Sequence, residues 1–200
     1  MKLICIGDSL TFGYGVHLSQ RWTRLCAQET GWELVNEGIN GDTTGGMLAR
    51  MQGGVLAELR EGGLGADRPY VLLMGGSNDV FYSGSDAAAR GNMGAMIHQL
   101  FSVGVLPMVG IPLPADAPHV PRAWAAAVDF EAAERTMKEY CAWLKRYCTA
   151  FGVPYIDFCA DFLSPDGSIR SELLLDGLHP TQEGHCLMAR RLSAQLKRQG

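Results

Sequence analysis

Ser9 stands where the apolar run Leu3-Ile4-Cys5-Ile6 breaks into Gly7-Asp8-Ser9, and it is the first residue whose setting suggests covalent chemistry. A serine hydroxyl is a poor nucleophile at neutral pH unless a base takes its proton, usually a histidine held in one tautomer by a carboxylate. Asp176 and His179 offer that pair: three residues apart with Gly177 between, they let a tight turn bring the carboxylate back to the imidazole. Pro180 stops a helix from running through His179 and suits the start of the next one. Negative charge developing on an attacked carbonyl oxygen also needs hydrogen-bond donors aimed at it. Gly41 lets a backbone N–H approach a ligand closely, and Asn78 offers a neutral carboxamide. Each block has a plainer reading as well. Asp8-Ser9 after a strand reads as a helix N-cap, Asn78-Asp79 after glycines as a turn, and His179 as an ordinary histidine at a helix start.

These residues can meet only if the fold brings their loops to one place. Short β-type runs alternate with helix-length amphipathic stretches along nearly the whole chain. Strands are expected at Leu3 to Ile6, Leu34 to Asn36, Tyr70 to Met74, Leu106 to Val109 and Tyr155 to Phe158. Helices are expected near 20–30, 44–60, 86–102, 127–150 and 182–198. Such alternation implies an α/β fold with right-handed crossovers and a parallel sheet covered by helices on both faces. Val71-Leu72-Leu73-Met74, apolar without alternation, suits a strand covered on both sides. In such sheets ligands collect beyond the carboxyl ends of the strands, where the Ser9, Gly41 and Asn78 blocks fall. Between Gly110 and Trp124 lie four of the nine prolines, so a stiff, irregular loop is expected after the fourth strand, either a lid or substrate wall or a plain surface excursion. The glycines at 62–65 read as a helix stop and turn before the third strand.

At 200 residues and 47% apolar composition, the chain suits one domain over 1–200 with a sizeable core. Its formal charge of -4 is spread without long runs, which argues against nucleic acid or a polybasic membrane anchor and for small-molecule or protein partners. The six cysteines form no C-x-x-C pair and read as small buried hydrophobes, not zinc ligands or disulfides. No segment approaches the roughly 20 apolar residues of a membrane span, and the run after Met1-Lys2 is too short for a signal peptide, so a reduced cytoplasmic setting is expected. Nothing in the sequence sets the oligomeric state, and a homo-oligomer stays open. A nucleotide- or flavin-binding module is a reading of another class, since this layout binds phosphates at strand-one loops. It lacks a Walker lysine and a G-x-G-x-x-G, and it leaves Asp176 and His179 unused. A metal hydrolase built on Asp8, Asp79, Asp176 and His179 would have one histidine and scattered aspartates, a poor zinc set. No cofactor and no metal are therefore expected.

Gly7-Asp8-Ser9-Leu10, Asn36-x-Gly38-x-x-Gly41-Asp42-Thr43, Gly76-x-Asn78-Asp79 and Asp176-x-x-His179-Pro180 together resemble the four blocks of the SGNH (GDSL-type) hydrolases. The resemblance runs from residue 5 to the end, in the right order, and is strongest to the small bacterial branch of acyl-CoA thioesterase I (lysophospholipase L1) and arylesterases. It implies a three-layer αβα sandwich with a flavodoxin-like five-stranded parallel sheet in the order 2-1-3-4-5. It also implies a serine hydrolase of esters or thioesters, or alternatively a carbohydrate O-acetyl esterase. In that scheme Ser9 is the nucleophile, His179 the base and Asp176 its orienting carboxylate. The Ser9 and Gly41 N–H groups and the Asn78 side chain form the oxyanion hole, while Asp8 and Asp79 support the loops. The stretch from Gly110 to Ala115 resembles the loop that shapes the acyl site, so Pro112, Leu113 and Pro114 are expected to bind substrate, with Tyr14, Phe81, Tyr82 and Trp124 as further aromatic walls. Two departures stand out: Ser77 replaces the more usual alanine or threonine, and Val80-Phe81-Tyr82-Ser83 is bulkier than the branch suggests.

Overall fold

Alternate residues of a strand point to opposite faces, and here both faces are apolar because both are covered. The computed structural model describes residues 1–56 and 69–198. In chain order its elements are β1 (Lys2–Gly7), α1 (Ser9–Phe12), α2 (Trp22–Thr30), β2 (Glu33–Gly38), α3 (Thr44–Gly53), β3 (Tyr70–Met74), α4 (Ser77–Ser83), α5 (Ala87–Ser102), β4 (Pro107–Ile111), α6 (Arg122–Ala125), α7 (Phe130–Phe151), β5 (Tyr155–Asp157) and α8 (Gln182–Leu196). Ile4, Ile6, Val71, Leu73, Val109 and Ile111 turn to one side of the sheet, against Met47 and Met51 of α3, Met93 and Ile97 of α5 and Met137 and Leu144 of α7. Leu3, Cys5, Leu72, Met74 and Met108 turn to the other, against Trp22 and Cys26 of α2 and Met188 and Leu192 of α8. The result is a three-layer αβα sandwich.

The five strands are parallel in the order β2-β1-β3-β4-β5, as expected. Register places Gly7 opposite both Gly38 and Met74, and Ile111 opposite Asp157, so the strands end along one edge and their loops share it. Where β2 ends, it meets α1 without room for a side chain. A Cβ on Gly38 would lie 2.1 Å from the backbone nitrogen of Phe12. Asn36 fastens the same junction: its Nδ2 donates to the Thr11 carbonyl (2.7 Å) and to Thr23 Oγ1 (2.9 Å), and its Oδ1 accepts the Gly38 N–H (3.0 Å). Asn36 and Gly38 thus hold the helix that carries Ser9.

Several expected boundaries move. β2 and β4 run two residues further, to Gly38 and Ile111, because Gly7 and Asp157 offer them partners. The stretch from Gly110 to Trp124 is therefore not one irregular loop: its first two residues end β4, Ala117–His119 form a 3-10 turn, and Arg122 starts α6. Phe158 lies beyond β5. The expected helix near 44–60 is α3 up to Gly53, while its continuation past residue 56 and the glycines at 62–65 lie outside the described residues. Cys5, Cys26, Cys141 and Cys148 are buried, whereas Cys159 and Cys186 are half-buried, and all six are free thiols. Among the described residues no helix is long and apolar enough to cross a membrane.

Candidate active site

Ser9 is the first residue of α1, directly after the Asp8 that follows β1. Asp8 is the N-cap: its Oδ1 accepts the Leu10 N–H at 2.9 Å. The cap therefore falls on Asp8 and leaves the Ser9 side chain free of that role. Ser9 Oγ lies 2.9 Å from His179 Nε2, and His179 Nδ1 lies 2.8 Å from Asp176 Oδ2. Asp176 Oδ1 also accepts the backbone N–H groups of Leu178 (3.1 Å) and His179 (2.9 Å), so the carboxylate closes its own turn. Gly177 makes that turn possible with φ +78°, and a Cβ there would lie 2.7 Å from the Asp116 carbonyl oxygen. The Asp116 N–H in turn donates to the Gly177 carbonyl at 2.8 Å, which docks the proline-rich segment onto the turn. Pro180 lies one residue before the Thr181 cap of α8, so it ends the turn without entering the first helical turn. Burial raises the Asp176 carboxyl, but hydrogen bonds from the His179 side chain and backbone outweigh it, leaving the group below its ordinary value and ionised. The Tyr14 ring packs 4.5 Å from the imidazole, and Trp124 approaches it edge-on at 6.3 Å.

Gly41, at φ +74°, and Asn78, in the first turn of α4, line the same cleft as Ser9 and His179. Asn78 Nδ2 donates one proton to the Asp42 carbonyl at 2.8 Å and has a second to offer. Asp79 faces away from this chemistry: its two oxygens accept the Thr44 N–H (2.9 Å) and hydroxyl (2.6 Å), tying α4 to α3. Asp8, Asp79, Asp176 and His179 do not gather into a metal-holding cluster among the described residues.

Asp8 is almost wholly buried, and its Oδ2 has no hydrogen-bond partner. Burial pushes its carboxyl up to about 7. Since an unfolded aspartate has a pKa of about 3.9, the folded state holds a proton between about pH 4 and pH 7 that the unfolded chain has released. Stability therefore falls as pH rises through that window, and the penalty is fully present above it. Asp8→Asn keeps the shape without the charge. It is expected to match the parent in urea unfolding at pH 4 and to exceed it by ~2–4 kcal/mol at pH 8. Parallel stability curves for the two proteins across that range would contradict the assignment.

The cleft has a volume of about 410 Å³ and a mainly apolar wall. Tyr14, Phe81, Tyr82, Leu113, Pro114 and Trp124 line it. Pro112 does not: it is buried beneath, with its carbonyl facing the Cys141 thiol. Of the lining residues that sequence reasoning does not assign to the site, three lie outside its four blocks and the proline-rich stretch altogether: Ala127 and Val128 before α7 and Phe130 at its start. Phe130 packs 5.2 Å from the Phe81 ring and is almost buried. Its only signal in the sequence is an aromatic residue just after the Asp129 cap.

The profile of the GDSL-like lipase/acylhydrolase family matches residues 5–187, a stretch that contains all four blocks. Esterase TesA of Pseudomonas aeruginosa is 29% identical over 185 residues, which cover 89% of this chain and 79% of that protein. Among solved structures, the aryl esterase of M. smegmatis superposes with a TM-score of 0.79 at 20% identity, covering 98% of both chains. Est24, a carbohydrate acetylesterase from Sinorhizobium meliloti, gives 0.80 at 19% identity, with 100% and 99% covered. Those two likenesses carry the fold. With the family profile spanning all four blocks, the nucleotide- or flavin-module reading falls away. The chain belongs to the GDSL-like lipase/acylhydrolase family, within the SGNH hydrolase superfamily, and is an ester hydrolase.

Proposed function

We propose that the protein hydrolyses carboxylic esters or thioesters of aliphatic acyl groups through an acyl-enzyme on Ser9. The observation that carries this reading is the Ser9–His179–Asp176 hydrogen-bond chain opening onto an apolar cleft. His179 Nε2 takes the Ser9 proton as Oγ attacks the carbonyl carbon, and the oxyanion receives the Ser9 and Gly41 N–H groups and the Asn78 amide. His179 passes the proton to the leaving alcohol or thiol. Water then repeats the cycle on the acyl-enzyme, returning Ser9 and releasing the acid.

The apolar wall from Leu113 through Val128 to Phe130 supports an acyl chain there more than a sugar ring. Each methylene buried in such a cleft is worth about 0.8 kcal/mol, or about fourfold in kcat/KM. Between p-nitrophenyl acetate and hexanoate, kcat/KM is therefore expected to rise by up to ~10²-fold. Steady-state rates on acetate, hexanoate and octanoate esters beside acetylated sugars test it. A preference for the acetylated sugars over hexanoate would replace the acyl-chain reading with sugar O-deacetylation.

A further inference from the structure

The three proposed oxyanion donors belong to segments that follow three different strands, and two side chains tie those segments together. Arg50, in the last turn of α3, donates from Nε to Asp42 Oδ2 at 2.8 Å and from Nη2 to the Gly7 carbonyl at 2.9 Å. Gly7 is the last residue of β1, two positions before Ser9. Asp42 directly follows Gly41, and its carbonyl accepts the Asn78 amide at 2.8 Å. One guanidinium thus joins the end of β1 to the turn after β2, and Asp42 carries the connection on to α4 after β3. Both side chains are half-buried, at 23% and 12% exposure, which holds the pair more firmly than a solvent-exposed one. A planar fork whose N–H directions are fixed can hold two acceptors at once, which a lysine ammonium on its flexible stem does less well.

We propose that Arg50 and Asp42 are positioning residues that set the Ser9, Gly41 and Asn78 donors relative to one another. The inference rests on the oxyanion roles given above. Donors of this kind matter most once the carbonyl oxygen has moved and gained charge, so loosening them weakens the transition state more than substrate binding. A misplacement of about 1 Å can cost ~10²-fold in rate.

Arg50→Met removes both hydrogen bonds while keeping an unbranched apolar stem. Hydrolysis of p-nitrophenyl hexanoate, with competent sites counted by the endpoint of fluorophosphonate labelling, is expected to show kcat lower by about 10- to 100-fold and KM within about twofold. Arg50→Lys should recover part of the loss. Added to Asn78→Ala, Arg50→Met should cost far less than the product of the separate losses, because both changes act on the same donors. An unchanged kcat overturns the proposal, as does a loss carried by KM or one that multiplies with that of Asn78→Ala. If Arg50→Met does not fold, Asp42→Asn weakens the same link by removing its charge and is read by the same split, with a smaller fall in kcat expected. Ser9→Ala separates the two levels: if it is inactive while Arg50→Met behaves as the parent, the brace is rejected and the proposed hydrolysis stands. An active Ser9→Ala removes both.

Discussion

Ser9→Ala is expected to lower kcat for a p-nitrophenyl ester by ~10⁶-fold while leaving the protein folded. The size follows from what is lost. In the proposed mechanism, without Oγ no acyl-enzyme forms and His179 has no serine hydroxyl to deprotonate. Residual turnover comes from water attacking an ester held beside the remaining donors, roughly 10³–10⁴ over the uncatalysed rate. Folding should tolerate the change, because among the described residues the side chain hydrogen-bonds to His179 alone, worth about 1 kcal/mol. The cap of α1 is Asp8, which the substitution does not touch. Two measurements check this. A fluorophosphonate should add one covalent label to the parent, on Ser9, and none to Ser9→Ala, as read by intact mass. Kinetics should agree, and a variant that kept more than about a hundredth of the parent rate would remove Ser9 from the role.

How much of this site can be read in the sequence depends on how local its signals are. Gly7-Asp8-Ser9 and Asp176 to His179 are each a few residues long, and their geometry is set within the segment. The Asp176 carboxylate accepts from two N–H groups only two and three residues ahead, so spacing alone suggests the turn. Strands such as Tyr70–Met74 are legible because burial on both faces leaves a continuous apolar run. Helices α1 and α6, of four residues each, span barely one turn and cannot display a 3.6-residue period. Phe130 and Val128 reach the cleft only because α7 packs where it does, which no local pattern states. Pro112 shows the opposite limit: it is buried with its carbonyl toward the Cys141 thiol, while its neighbour Leu113 lines the cleft. The Arg50–Asp42 link is equally hidden, since its meaning lies in the Gly7 carbonyl 43 residues away.

Asp176→Asn is expected to lower kcat by ~10⁴-fold through the wrong histidine tautomer. Under the proposed roles Asp176 Oδ2, facing His179 Nδ1, keeps the proton on Nδ1 and the lone pair of Nε2 toward Ser9. An asparagine must place its oxygen where Oδ1 now accepts the N–H groups of Leu178 and His179, because the amide group there would face two donors. Its NH₂ then takes the place of Oδ2, 2.8 Å from Nδ1 and nearer to it than the oxygen at 3.1 Å, and donates to Nδ1. The imidazole responds by carrying its proton on Nε2, where it can no longer accept from the Ser9 hydroxyl. The turn itself survives, with Gly177 at positive φ and the Leu175 N–H still donating to the His179 carbonyl at 2.7 Å. The loss should therefore fall on kcat and on the rate of fluorophosphonate labelling, with KM little changed. Nitrogen-15 shifts of the His179 ring offer a direct reading: proton on Nδ1 in the parent, on Nε2 in the variant. An Asp176→Asn protein with activity within tenfold of the parent would mean that the carboxylate does not orient His179, leaving its contacts with Ser9 and with the Tyr14 and Trp124 rings to do so.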